Sequence, residues 1–184
     1  MDRDDVSPDP GTPGLSPARS AAMLQDLEQA VLDASSMIYM LKAGFLDRLS
    51  FLLDLATPAE VAAETGWPSL PVRVVRVEGK EAGDGAGGGR AAPDDLLLRL
   101  AGDWGWPVVS EDRELLMRAE ARDIRYFNSL MMLLLLNWRG RCSAEEYRLF
   151  QRRLYEIGRY SAWVRSFAEA VARELGLPRD FQPP

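Results

Sequence analysis

Short apolar runs recur along this chain, at 30–33, 55–56, 72–77, 107–109 and 124–127, and each is followed or preceded by a stretch with helical spacing. Runs of this length, rich in Val, Leu and Ile, read as buried strands. Between them apolar residues fall three and four apart, as at Phe45, Leu46, Leu49, Leu52 and Leu53, which is the spacing of a helix face. Parallel strands need a crossover of a dozen or more residues, usually a helix. The alternation therefore predicts an α/β fold, a three-layer α/β/α sandwich around a mainly parallel sheet, with extra helices at the C-terminal end.

The first run, Val31-Leu32-Asp33, ends on a carboxylate. Ser35 or Ser36 is expected to cap a helix over 36–43, with Gly44 as its C-cap. A carboxylate at the carboxyl end of a strand, beside a helix N-terminus, stands where open α/β sheets place their ligands. Thr57-Pro58 reads as N-cap plus first position of a helix over 58–65, with Glu60 and Glu64 on one face. Pro93-Asp94-Asp95 opens a helix over 96–104. The run 107–109 ends at Ser110-Glu111-Asp112, before a helix to about 122. Asn128 or Ser129 caps a helix over 130–138 that is apolar all round, so burial on every side is expected. Helices over 143–158, opened by a Ser143/Glu146 capping box, and over 160–175 complete the domain.

Residues 1–20 are rich in Asp, Pro, Gly and Ser and read as a disordered tail, followed by a short helix over 21–29. A single domain over 21–178 is expected, with C-terminal helices from 143. The stretch 78–92 holds six glycines. Its run Gly85-Ala86-Gly87-Gly88-Gly89 fits neither G-x-G-x-x-G after a strand nor G-x-x-x-x-G-K-[ST], so it reads as a flexible loop rather than a phosphate cradle.

The 184 residues contain no His and one Cys, Cys142. This excludes Ser-His-Asp and Cys-His catalysis, His-ligated zinc and any disulfide framework. The formal net charge is −6. Residues 1–112 hold 9 Lys+Arg and 19 Asp+Glu, whereas 113–173 hold 12 Arg and 7 Asp+Glu. An acidic front half and a basic back half suit metal-binding carboxylates beside a phosphate-contacting face, or simply solvated helix surfaces. No basic start followed by an apolar core opens the chain, and the longest apolar run, 130–136, is too short to span a bilayer. A cytoplasmic protein with no membrane partner is expected.

Four acidic positions stand at strand ends or on helices near them. Asp33 and Asp112 follow strands, Asp94 or its neighbour Asp95 opens a helix, and Glu64 projects from a helix in the front half. Carboxylates converging at one end of a parallel sheet, without His or Cys, favour hard, oxygen-loving cations such as Mg²⁺ or Mn²⁺. Such cations neutralise phosphate charge and activate water.

The order of these motifs resembles the PIN domain family. Val31-Leu32-Asp33-Ala34-Ser35 looks like its first motif, an apolar strand ending in Asp-x-Asn/Ser. Residues 57–64, TPAEVAAE, are similar to the second, where a helix delivers a glutamate. Residues 94–101, DDLLLRLA, resemble the third. Residues 108–115, VVSEDREL, resemble the fourth, a strand followed by Ser/Thr-x-Asp and a helix start. The resemblance covers about 30–138.

It implies a metal-dependent endoribonuclease in which Asp33, Glu64, Asp94 and Asp112 hold one or two Mg²⁺ or Mn²⁺ ions. Asp95 is the alternative to Asp94, and Glu60 the lesser rival to Glu64. Ser35 and Ser110 would hydrogen-bond ligands or carboxylates in the site. Hydrolysis of RNA would leave a 3′-hydroxyl and a 5′-phosphate. It also implies a homodimer and, in many prokaryotic members, the toxin of a toxin–antitoxin pair, whose partner is an antitoxin protein. Two other readings compete: a catalytically inactive PIN-like binding or scaffold protein, and a Mg²⁺-dependent phosphatase-type α/β protein. The adjacent aspartates and the long glycine-rich insert are where the chain departs from the family pattern.

Overall fold

The computed structural model describes residues 16–78, 91–158 and 160–178. The expected tail over 1–15 and most of the glycine-rich loop, 79–90, lie outside the described residues. Strands β1 (Gln29–Leu32), β2 (Asp54–Pro58), β3 (Arg73–Val75), β4 (Val108–Val109) and β5 (Tyr126–Phe127) form one all-parallel sheet in the order β3-β2-β1-β4-β5. Helices flank it as a three-layer α/β/α sandwich. They are α1 (Pro17–Gln25), α2 (Ala34–Ala43), α3 (Leu46–Ser50), α4 (Ala59–Glu64), α5 (Pro93–Trp104), α6 (Arg113–Glu120), α7 (Ser129–Trp138), α8 (Ala144–Ile157) and α9 (Ala162–Glu174).

The strand order has one consequence for function. From β1 the chain steps outward to β2 and β3, then returns to the other side of β1 as β4 and continues to β5. Adjacent strands β1 and β4 thus lead away in opposite directions, which opens a crevice beyond their carboxyl ends. Val31 pairs with Val108 and Leu32 with Val109, so the two strands end level with each other. Ala30, Val31, Leu32, Val108 and Val109 are completely buried, which explains why the strands read as unbroken apolar runs rather than alternating ones.

Several boundaries differ from the sequence reading. β1 stops at Leu32, and Asp33 rather than Ser35 or Ser36 caps α2: its side chain accepts from the Ser35 N–H. Ser36 is drawn off by the sheet, its hydroxyl bonding the carbonyl oxygens of Asp33 (2.9 Å) and Val109 (2.8 Å). Thr57 and Pro58 belong to β2 and not to the helix after it. The Thr57 hydroxyl donates to the Leu32 carbonyl across the sheet (2.8 Å), and the N-cap position of α4 falls on Pro58, which has no side-chain acceptor. Helix α1 begins at Pro17, capped by Ser16, inside the stretch read as tail. Helix α9 begins after Tyr160, with Ser161 as N-cap, and Tyr160 turns inward instead.

Helix α7 is buried along its length from Ser129 to Asn137. Helices α1, α8 and α9 all pack on it, and α1 also packs on α9. The C-terminal helices are therefore part of the core. Each fully buried leucine of α7, such as Leu133 or Leu136, contributes roughly 2 kcal/mol of burial that would be lost without them. Helix α2 turns into α3 at Gly44, whose φ of 94° suits glycine. The Arg153 guanidinium closes the same corner by donating to the Ala43 carbonyl (3.1 Å). Among the described residues no helix is long and apolar enough to cross a membrane.

Candidate functional site

Asp33 sits at the crevice mouth and is 8% exposed. Its Oδ2 accepts from the Ser35 hydroxyl (2.5 Å), the Ser110 hydroxyl (3.0 Å) and, more weakly, the Ser35 N–H (3.3 Å). Ser110 is completely buried and works in both directions, because its hydroxyl also accepts from the Asp112 N–H (2.9 Å). Ser35 likewise accepts from the Glu111 N–H (3.3 Å). The loop after β1 and the loop after β4 are thus joined by one hydrogen-bond network. Four of the expected site residues, Asp33, Ser35, Ser110 and Asp112, belong to it.

Asp112 lies on the exposed side of this network. One of its carboxylate oxygens caps α6 by accepting from Glu114 N–H (2.8 Å) and Leu115 N–H (3.3 Å). Asp33 and Asp112 are therefore both helix N-caps, stabilised by the positive end of a helix as well as by the donors on it.

Glu64 and Asp94 arrive from α4 and α5. The Glu64 carboxyl is held above its ordinary range, first by partial desolvation and then by the negative charges of Asp33 and Asp94. Asp94 is raised too, first by desolvation; Arg118 opposes the shift, while Asp33, Asp112 and Asp95 add to it. The four acids of the expected set consequently share one electrostatic neighbourhood. Asp95 pairs with Arg118 and Arg122 (3.8 Å), and the acids felt at Glu64 are Asp33 and Asp94, which favours Asp94 as the acid of the third motif. Arg118 spans the pair, with Nη1 on Asp94 (3.0 Å) and Nη2 on Asp95.

Among the described residues no group of three or more His, Cys, Asp or Glu side chains is arranged to hold a metal ion. The donor set nevertheless suits a hard divalent cation in kind: it consists of carboxylates and hydroxyls, and Glu64 and Asp94, raised first by desolvation, also feel neighbouring negative charge that a cation would offset.

Sequence reasoning passed over Glu111. Its Oε1 accepts from the Ser129 N–H (2.7 Å), satisfying an orphan donor at the start of α7. The hydroxyls of Ser129 and Tyr160 face the same carboxylate. Burial raises the carboxyl, those donors oppose the shift, and the charge of Asp33 adds to it. Through the Ser129 N–H, Glu111 thereby fastens the loop bearing Ser110 and Asp112 to α7. Its position between Ser110 and Asp112 was the only hint in the sequence, since Tyr160 lies far along the chain. No protein-family model, curated protein or solved structure matches this chain.

Proposed function

We propose that this chain is a metal-dependent ribonuclease of the PIN type. The observation that supports the reading is electrostatic: the charges of Asp33 and Asp94 are felt at Glu64, and those of Asp33 and Asp112 at Asp94, with Asp33 and Asp112 placed just beyond the paired strands β1 and β4. Ligands of open parallel sheets bind beyond the strand ends, and there the buried Ser110 hydroxyl ties the Asp33 carboxylate to the backbone N–H of Asp112.

In this reading Asp33, Glu64, Asp94 and Asp112 would hold Mg²⁺ or Mn²⁺. A bound divalent cation stabilises charge on a phosphodiester and activates water for in-line attack. The chain's own contribution is orientation. Ser35 and Ser110 fix one oxygen of Asp33 and leave the other free to bind. The caps on α2 and α6 hold Asp33 and Asp112 in register, and the Glu111 tether stops the Ser110–Asp112 loop from drifting. RNA as substrate, a toxin role with an antitoxin partner, a homodimer and a cytoplasmic setting follow from the resemblance to PIN domains.

The test uses the full-length chain and single-stranded RNA with Mg²⁺ or Mn²⁺. Cleavage is expected, abolished by EDTA and by Asp33→Asn or Asp112→Asn. Cleavage that survives those substitutions, or that ignores EDTA, refutes the reading. One observation favours a second reading, a non-catalytic PIN-like module: Asp94 and Asp95 are already ion-paired with Arg118. Absence of Mn²⁺ binding by calorimetry, with retained affinity for a protein partner, would support that one.

A further inference from the structure

Arg118 stands two turns into α6, the helix that Asp112 caps, so a single element carries one proposed ligand and the cation that holds two acids of α5. Its guanidinium is forked across consecutive residues, one nitrogen to each carboxylate, a geometry that suits arginine better than lysine. The side chain is one-third exposed, whereas those of Asp94 and Asp95 are about half exposed, so the fork lies at the crevice rim and not out in solvent. Among the described residues Arg118 is the cation whose charge is felt at Asp94, while the neighbouring Asp33, Asp112 and Asp95 are all negative. Arg122, one turn further on, reaches only Asp95, at 3.8 Å.

We propose that Arg118 is an internal counter-ion latch: its guanidinium occupies Asp94 in the metal-free protein, and a divalent cation must take that carboxylate from it. The inference rests on the metal-binding reading above. Two consequences follow from charge and geometry. With the latch closed the acid cluster keeps its shape without a metal, because the guanidinium offsets the repulsion at its α5 corner. With a cation bound, Arg118 is released at the rim, a free planar donor beside the site. Metal affinity is set by this competition, so deleting the arginine should strengthen binding, where loss of an ordinary structural contact would weaken it.

The experiment titrates Mn²⁺ alone into full-length wild type, Arg118→Gln, Arg118→Lys, Arg122→Gln and Asp33→Asn, read by calorimetry and by the electron-spin resonance signal of free Mn²⁺. Arg118→Gln is expected to bind roughly fivefold more tightly, a figure reduced from the bare Coulomb value because the pair is partly solvated. Arg118→Lys keeps the charge without the fork and should fall between, and it carries the comparison if the glutamine variant does not fold. Arg122→Gln should change affinity by less than about twofold, since that charge is screened and does not touch Asp94. Unchanged or weaker Mn²⁺ binding in Arg118→Gln, or equal tightening in Arg122→Gln, overturns the latch. If Asp33→Asn abolishes Mn²⁺ binding while Arg118 makes no difference, only the latch fails. If neither wild type nor Arg118→Gln binds Mn²⁺, the latch and the metal-dependent reading fail together.

Discussion

Replacing Ser110 by alanine removes one oxygen and disconnects two loops. The hydroxyl is completely buried, donates to Asp33 Oδ2 at 3.0 Å and accepts from the Asp112 N–H at 2.9 Å. A hydrogen bond to an ionised carboxylate contributes about 1.5–3 kcal/mol, and leaving a partly buried N–H unpaired costs about 1 kcal/mol more. Asp33 keeps its two contacts from Ser35, so the loss is partial and Ser110→Ala should destabilise the fold by about 2–3 kcal/mol. Urea unfolding is the assay. With a denaturant dependence of about 2–3 kcal/mol per molar for a chain of this size, the midpoint should fall by about 1 M. Repeating the substitution in Asp33→Asn isolates the interaction. The asparagine oxygen can still accept from Ser110, but as a neutral acceptor its bond contributes only about 1 kcal/mol, so the two changes should couple by about 1 kcal/mol. A midpoint shift below about 0.3 M, or equal shifts in the two backgrounds, would show that Ser110 does not act through the Asp33 charge.

Three further outcomes follow from the packing and the charges. A Cβ added at Gly158 would lie 2.7 Å from a ring carbon of Tyr160 and 2.9 Å from one of Tyr39, so Gly158→Ala should lower stability by about 1–3 kcal/mol, seen as a Tm drop of several degrees; an unchanged Tm would mean that the rings move aside freely. The Glu111 carboxyl is raised above 4.5, so the native state holds a proton that the unfolded state releases; the stabilisation is fully present below the unfolded value and is lost as pH rises through the folded one. Glu64 and Asp94 shift in the same direction, and Glu111→Gln should therefore flatten only part of the decline in urea midpoint above pH 4.5; an unaltered pH profile would contradict the shift. Burial, followed by the Glu146 charge and opposed by Arg48, pushes the Cys142 thiol up to about 11, so labelling by a disulfide reagent at mild alkaline pH should be about 100-fold slower in the native than in the unfolded chain; equal rates would place the thiol in open water.

The layered fold was legible because its signal is repeated. The central strands β1 and β4 are brief apolar runs buried on both faces, and most helices have their own periodicity, so an error of one or two residues at a boundary leaves the architecture intact. The boundaries misplaced before α2 and α4 have a common cause. Hydroxyl residues beside a strand end can cap a helix or bond across the sheet, and the choice depends on a neighbour distant in sequence. Thr57 bonds Leu32, and Ser36 bonds Val109. Local capping preference favours the first option, whereas sheet pairing imposes the second. The helix over 130–138 was recognised as buried, but what buries it was not, because α1, α8 and α9 come from opposite ends of the chain.

The acid cluster was legible in composition and opaque in its wiring, and the reason bears on how it works. Asp33 and Asp112 satisfy every local requirement of an N-cap, so capping alone would account for either of them. What capping does not require is the buried Ser110 hydroxyl between them, or a third carboxylate, Asp94, at which the charges of both Asp33 and Asp112 are felt. A cap is complete with its own helix; this pair is bound to each other across two parallel strands. Natural sequences tolerate clustered negative charge of this kind chiefly where a ligand repays it. In this chain part of the repulsion is met internally by Arg118, an answer visible only when α5 and α6 are brought together. The tension between four carboxylates and one guanidinium is thus the quantity to measure: if the cluster serves a cation, removing Asp33's charge must weaken metal binding, while removing Arg118's must strengthen it.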